Sequence, residues 1–359
     1  MLTLAQTPAD QEDLAALCAD RPLGTREIFL GNAFYGGDAI LRAYSGYEGI
    51  LKAVVPHGPY WIIPAVWNDE AEAPVPVIFF FNPIMQEAFE KETTKVVLPL
   101  AFPFLYVLEL VKAQPRPARR GTIFFPGHSS HRATAKMDFA GLAARLAELA
   151  DEYQPLTVCM FWKDYLLGYH RAFQERGMSL VSAGHMYDPD FLCRFYHLCS
   201  RHRYAASNYT LSSATFYAVK AGCAFFFLDP SEYRFDVGGV DALYMPKRQF
   251  DDRLANMFQA PRPATTPEQM EFVDYILGTA YLTSPEELLQ QLRTVDKWDK
   301  RRIWARRPDG GKKLMLPTYF KRKISSLWFV LGKWREVLKA RLKDLGQKWG
   351  GLGSLFSRR

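Results

Sequence analysis

Four short stretches of this chain gather side chains that bind anions or move protons. Pro56-His57-Gly58 places a histidine between two loop formers. His128-Ser129-Ser130-His131 puts two histidines around two hydroxyls. Gly184-His185-Met186-Tyr187-Asp188 adds a histidine and a carboxylate. Ser207-Asn208 and Ser212-Ser213 bracket a polar turn. Imidazole titrates near neutrality, so a histidine either holds an anion as a cation or acts as acid or base. Serines at a helix start offer hydroxyls beside unpaired backbone N–H groups, where the helix dipole favours phosphate. Each reading has a plainer rival. Ser212 or Ser213 caps the helix behind it, and Asp188 before Pro189 is an N-cap with proline at the first helical position. Trp162-Lys163-Asp164 and Gly36-Gly37-Asp38 are two further polar clusters, and Asp38 is read either as a base or as a cap.

The elements that would position these groups follow from apolar runs. Arg26–Leu30, Leu51–Val55, Pro76–Phe81 and Lys95–Leu98 read as strands, with helices over about 83–91 and 103–113. Pro115-Arg116-Pro117-Ala118-Arg119-Arg120 reads as a linker. Beyond it, Thr122–Phe125, Leu156–Phe161, Ser179–Ala183, Tyr204–Ser207 and Cys223–Leu228 are near-continuous apolar runs, as in strands covered on both faces. Helical patterns over about 136–150, 164–176, 189–201 and 213–221 alternate with them, which predicts a doubly wound parallel sheet. Each polar cluster of this second half follows a strand, so all of them fall on one edge of the sheet. The expected architecture is α/β: a Rossmann-like domain over residues 1–115, a second over 121–290, and a basic helical region over 297–359.

Composition narrows the function. The 359 residues are 48% hydrophobic and 23% charged, as in globular proteins. The first residues lack a basic start and an apolar core, so no signal peptide is expected, and no apolar stretch reaches spanning length. Five scattered cysteines fit reduced, buried thiols, and Cys193 and Cys199 with their neighbouring histidines match no standard zinc spacing. There is no G-x-G-x-x-G, no Walker A sequence, no G-x-S-x-G and no run of paired carboxylates. A standard dinucleotide enzyme, a P-loop NTPase and an α/β-hydrolase are therefore disfavoured, and neither a metal nor another cofactor is expected.

Phe125-Pro126-Gly127-His128-Ser129 resembles the His-Pro element of bacterial sialyltransferases and Kdo transferases, with Ser129 where those enzymes carry proline. Ser207-Asn208, Ser212-Ser213-Ala214-Thr215-Phe216-Tyr217 and Gly222 resemble the serine-bearing helix start of the same enzymes. Tyr35-Gly36-Gly37-Asp38, Ala53-Val54-Val55-Pro56-His57-Gly58 and Ala183-Gly184-His185 are similar to stretches of uncharacterised proteins from capsule and O-antigen clusters. The likeness spans roughly residues 25–230. It implies a metal-independent GT-B glycosyltransferase with a nucleotide-sugar donor, CMP-linked in preference to UDP-linked. His128, Ser129, Ser130, His185, Ser207, Asn208, Ser212 and Ser213 would hold the donor, with Lys163, Asp164 and Asp188 as further candidates. His57 or Asp38 would be the base. The acidic catalytic motif of sialyltransferases has no plain counterpart here. The alternatives are a teichoic-acid-type polyol-phosphate transferase with a CDP donor and a non-catalytic polysaccharide assembly protein.

Charge is uneven along the chain. Residues 297–359 hold nineteen Lys and Arg against four Asp and Glu, a net of +15, which leaves −8 for the rest. Phe320, Ile324, Leu327, Leu331, Trp334, Leu338, Leu342, Leu345 and Trp349 recur at helical spacing, with lysines off the stripe. A basic amphipathic helix with interfacial tryptophans is expected to lie on an anionic membrane surface, each basic residue adding about 1 kcal/mol. The expected placement is cytoplasmic, peripheral on the inner face of the plasma membrane. The expected partners are a nucleotide sugar, a glycan or lipid-linked glycan acceptor and that membrane. Nucleic acid is not expected, since no recognition fold accompanies the charge.

Overall fold

The computed structural model describes residues 13–60, 66–130, 134–208, 212–228, 234–237, 240–242, 252–301, 304–306 and 312–314. The chain divides into two compact units, residues 1–296 and 297–359. His131 and the amphipathic stripe expected over about 317–349 lie outside the described residues. Among the described residues no helix is long and apolar enough to cross a membrane.

The first half of the larger unit runs α1 (Leu14–Cys18), α2 (Gly37–Ser45), β1 (Ala53–Val54), α3 (Asn68–Glu72), β2 (Val77–Phe80), α4 (Pro83–Glu92), β3 (Val96–Pro99) and α5 (Pro103–Val111). The three strands form a parallel sheet in the order β1-β2-β3, with Ala53 opposite Val77 and Val77 opposite Val96. This order lacks the reversal that a doubly wound sheet has. Every residue of β2 is buried. Asn82 stops that strand and starts α4, its Oδ1 accepting the Met85 N–H at 3.0 Å, with Pro83 at the first helical position.

The strand expected over Arg26–Leu30 is absent, and a 3-10 turn over Leu30–Gly36 follows instead. Buried side chains take over the ladder's role. The Glu27 carboxylate accepts the Leu51 N–H at 3.1 Å and the Asn32 amide at 3.1 Å, and it pairs with Arg42. Asn32 bonds both the Val55 N–H, at 2.8 Å, and the Ala53 carbonyl, at 2.9 Å. It therefore does for β1 what a neighbouring strand would do, and fixes where the chain leaves toward His57.

The second half contains β4 (Thr122–Phe125), β5 (Thr134–Lys136), α6 (Phe139–Ala147), β6 (Leu156–Cys159), α7 (Trp162–Leu166), α8 (Arg171–Gln174), β7 (Ser179–Val181), α9 (Phe191–Ser200), β8 (Tyr204–Ser207), α10 (Ser213–Lys220) and β9 (Ala224–Phe227). Five of these strands form a parallel sheet in the order β7-β6-β4-β8-β9. Here the winding does reverse, between β4 and β8. Loops leaving the carboxyl ends of those two strands diverge and open a crevice, the usual ligand position in such folds. Phe124, Leu142, Leu146, Val158, Phe173 and Phe226 pack the core beneath, each side chain contributing about 1.5–3 kcal/mol by burial. The single helix expected over 164–176 is two, divided at Gly168, whose φ is +81°. The chain goes on through β10 (Arg234–Val237) and β11 (Val240–Ala242), then α11 (Asp252–Gln259), α12 (Pro267–Leu277) and α13 (Pro285–Arg301). Strand β10 pairs antiparallel with both β11 and β5. In the smaller unit β12 (Trp304–Arg306) and β13 (Lys312–Leu314) pair antiparallel.

Candidate active site

A cavity of about 320 Å³ opens at the switch between β4 and β8. Its floor follows from the fold: Phe125, Pro126, Gly127 and His128 continue β4, Ser207 ends β8, and Ser212, Ser213 and Ala214 begin α10. Cys159, Met160 and Phe161 continue β6, and Ala183 follows β7. The first half closes the cavity with Tyr35, His57, Gly58, Pro59 and Tyr60, the exit from β1. Tyr35 and Gly36 hold the two halves close. The Tyr35 N–H donates to the Met186 carbonyl at 2.6 Å, and both residues have positive φ, +58° and +76°. A Cβ on Gly36 would lie 2.0 Å from the Pro189 carbonyl oxygen, so only glycine fits this approach.

His57 is half-buried, with ring centroids of Phe34 at 5.6 Å and Tyr35 at 6.4 Å. Burial lowers its pKa below the ordinary 6.5, opposed by the negative charge of Asp69. The imidazole is thus neutral at physiological pH and able to accept a proton. Tyr60 donates its hydroxyl proton to Glu70 Oε1 at 2.9 Å, and Glu70 Oε2 accepts the Trp67 N–H at 3.1 Å. Burial pushes the Glu70 carboxyl up to about 7.

Across the cavity, the exposed His128 ring packs 4.4 Å from Phe161, and its Nδ1 lies 2.8 Å from the Ser129 carbonyl. Ser212 precedes α10, its N–H donating to Thr215 Oγ1 at 3.2 Å. Ser213 hydrogen-bonds the Tyr217 hydroxyl, whose ring stacks on Phe104 at 4.7 Å. The remaining wall is apolar. Cys159 belongs to it, since burial pushes its thiol up to about 12 and keeps it protonated. The cavity therefore pairs an apolar, aromatic interior with hydroxyls, a histidine and a helix N-terminus on one rim, and a neutral histidine on the other. Such a rim suits an oxyanion, and the interior suits a flat or hydrophobic group.

Of the residues singled out in the sequence, His57, His128, Ser207, Ser212 and Ser213 line this one cavity. The others do not, and most brace it. Ser129 is fully buried. Its N–H donates to both Asp164 oxygens, at 3.1 and 3.0 Å, and its Oγ accepts the Ala135 N–H at 2.9 Å. Asp164 is therefore a strut under the β4 loop. Burial raises its carboxyl pKa, and the charges of His128 and Lys163 oppose that shift. Lys163 hydrogen-bonds the Ser130 carbonyl, which ties α7 to the same loop. Asn208 accepts the Gly127 N–H at 2.8 Å and so holds the backbone before His128.

Three further candidates are occupied elsewhere. His185 is fully buried, its ring 4.0 Å from that of Trp162, its Nδ1 accepting the Tyr187 N–H at 3.1 Å and its Nε2 3.5 Å from Asp20. Asp188 faces Arg21 at 3.3 Å and Arg194 at 3.4 Å. It does not cap α9 as expected: its Oδ1 accepts the Asp190 N–H, and the helix starts only at Phe191. Asp38 is held by Arg42 at 2.7 Å and by the Ala39 N–H at 2.8 Å, away from the cavity. Sequence reasoning missed Tyr60 and its partner Glu70, and it quoted Tyr35 and Tyr217 within motifs without assigning them a place. For Tyr60 the available signal was its place three residues after His57, since a strand exit aimed at a crevice carries its neighbours with it.

No protein-family model matches the chain, and no curated protein matches it. Among solved structures it is similar to that of the pneumococcal O-GlcNAc transferase GtfA in complex with UDP and GlcNAc. That likeness has 13% identity and a TM-score of 0.33, and it covers 68% of this chain and 52% of the other. The chain thus spans about half the length of that transferase.

Proposed function

We propose that the protein is a glycosyltransferase that moves a sugar from a nucleotide donor, CMP-linked by preference, to a growing bacterial surface polysaccharide or glycolipid. One observation carries this reading. His57, His128, Ser207, Ser212 and Ser213 come from three separate strand exits and a helix start, yet they line a single cavity. The Ser212 and Ser213 hydroxyls and the first turn of α10 meet the donor phosphate, with His128 beside them. Neutral His57 takes the proton of the acceptor hydroxyl. The new bond forms between that oxygen and the anomeric carbon, and the bond from the anomeric carbon to phosphate breaks with its electron pair on the phosphate oxygen. The rim around α10 stabilises that charge, and no protein group needs to rearrange as it develops.

In this reading the two halves are the acceptor and donor domains of a GT-B enzyme, and the basic stretch 297–359 attaches it to the inner face of the plasma membrane. The support for attachment is the net charge of +15 and the spacing of apolar residues in that stretch. The test is a thermal-shift and calorimetric panel of CMP, CDP and UDP on the full chain. At least one nucleotide raises the melting temperature, and His128→Ala weakens its binding. A flat response to all three rejects the reading.

A further inference from the structure

Gly58 is a bare place in the cavity wall. A Cβ built on it would lie 3.8 Å from Ser213 Oγ and 3.8 Å from Tyr60 Cε1. The backbone there does not call for glycine, since Gly58 is not among the positive-φ residues. What the missing side chain provides is room, between a hydroxyl at the start of α10 and the edge of an aromatic ring. That ring is fixed in place. Its hydroxyl donates to Glu70 Oε1 at 2.9 Å and also hydrogen-bonds the Trp67 side chain, while Glu70 is 1% exposed and holds the Trp67 N–H.

The neighbours of this space specify its occupant. On one side is Ser213, the group read above as meeting phosphate. Joined to Gly58 in sequence is His57, the group read as the base. In a nucleotide sugar, the portion that lies between the phosphate and the acceptor hydroxyl held by the base is the transferred sugar. A pyranose also has the matching chemistry, with apolar C–H groups to pack against the edge of a fixed aromatic ring and hydroxyls to bond serine. We propose that the space over Gly58, between Ser213 and the Tyr60 ring, is the subsite for the sugar of the donor, and that Glu70 is a positioning residue that acts through Tyr60. This rests on the nucleotide-sugar reading of the cavity.

Calorimetry on the full-length chain tests it with two ligand pairs, CMP against CMP-N-acetylneuraminate and UDP against UDP-N-acetylglucosamine. Gly58→Ala places its Cβ at ordinary contact distance from both neighbours, so the fold tolerates it. It should bind the bare nucleotide within about twofold of wild type and the nucleotide sugar about tenfold more weakly. Tyr60→Leu should show the same split. Glu70→Gln and Tyr60→Phe keep the ring but loosen it, and should show the split at about threefold. A purely structural role for Glu70 would weaken both ligands together. If Gly58→Ala and Tyr60→Leu bind both members of a pair as wild type does, or lose both equally, the subsite is wrong while the nucleotide reading stands. If the wild type binds no member of either pair and does not bind CDP, the nucleotide reading fails, and the subsite fails with it.

Discussion

Two buried carboxyl groups stand one residue behind the cavity, one under each half of its rim, and their surroundings differ. Asp164, 2% exposed, supports the β4 loop through the Ser129 N–H, with the charges of His128 and Lys163 nearby. Glu70, 1% exposed, supports Tyr60 with neutral donors only, the Tyr60 hydroxyl and the Trp67 N–H, and its charged neighbour is the like-charged Asp69. A buried carboxylate is stable when cations or several donors face it, and otherwise it takes up a proton. The contrast assigns the two rims different duties. The donor-side strut remains compatible with a charged form, whereas the acceptor-side strut changes protonation near neutral pH.

The largest effect that separates the two comes from pH. The Glu70 carboxyl lies at about 7 in the fold against an ordinary 4.5. Its stabilising contribution is therefore complete below pH 4.5 and is lost as pH rises through 7, a span worth about 3 kcal/mol. Glu70→Gln does not titrate. Urea unfolding at pH 4.5 and pH 8 should show the stability difference between wild type and variant moving by about 3 kcal/mol in the variant's favour at the higher pH. A difference that does not change with pH would remove the contrast. Next in size is Asp164→Asn, which leaves one carbonyl oxygen where two carboxylate oxygens meet the Ser129 N–H and removes the charge facing His128 and Lys163. It should lose about 2 kcal/mol in the same assay at pH 7.

A smaller effect is expected at Ser129. Ser129→Ala leaves the buried Ala135 N–H without its acceptor, at a cost of about 1–2 kcal/mol, and nucleotide binding should be unchanged because Ser129 does not line the cavity. Smallest in stability is Ser213→Ala, within about 1 kcal/mol of wild type by thermal unfolding, because its hydroxyl lies on the cavity rim and gives up a single hydrogen bond, to the Tyr217 hydroxyl. A large loss of stability there would make Ser213 a strut like Ser129.

Ser129 and Ser213 also show how far a sequence can be read. Both lie past a buried strand's carboxyl end, at or before the start of the next element, both have serine neighbours, and both were expected to hold an anion. The strands themselves were legible, because β4, β6, β8 and β9 are covered on both faces and appear as unbroken apolar runs. The shared edge of the sheet was legible for the same reason, and His57, His128, Ser207, Ser212 and Ser213 fell where it put them. What one chain in isolation does not reveal is which hydroxyl meets a buried partner. Ser129 turned inward because Asp164 and Ala135, distant or loop-separated in sequence, waited there. Glu70 was illegible because it lies in an unremarkable acidic stretch, Asn68-Asp69-Glu70, that reads as solvated surface. The strand expected at Arg26–Leu30 failed because Glu27, a residue normally outside, is buried by Asn32, Arg42 and the Leu51 N–H.

The central claim is that the Ser212–Ser213 rim, and not the Ser129 hydroxyl, meets a nucleotide's phosphate. Calorimetric titration of CMP, CDP and UDP into wild type, Ser213→Ala and Ser129→Ala tests this directly. The account predicts that the nucleotide bound by wild type binds Ser213→Ala about tenfold more weakly and folded Ser129→Ala within about twofold. Equal affinity in Ser213→Ala, with the loss appearing in Ser129→Ala instead, would contradict it.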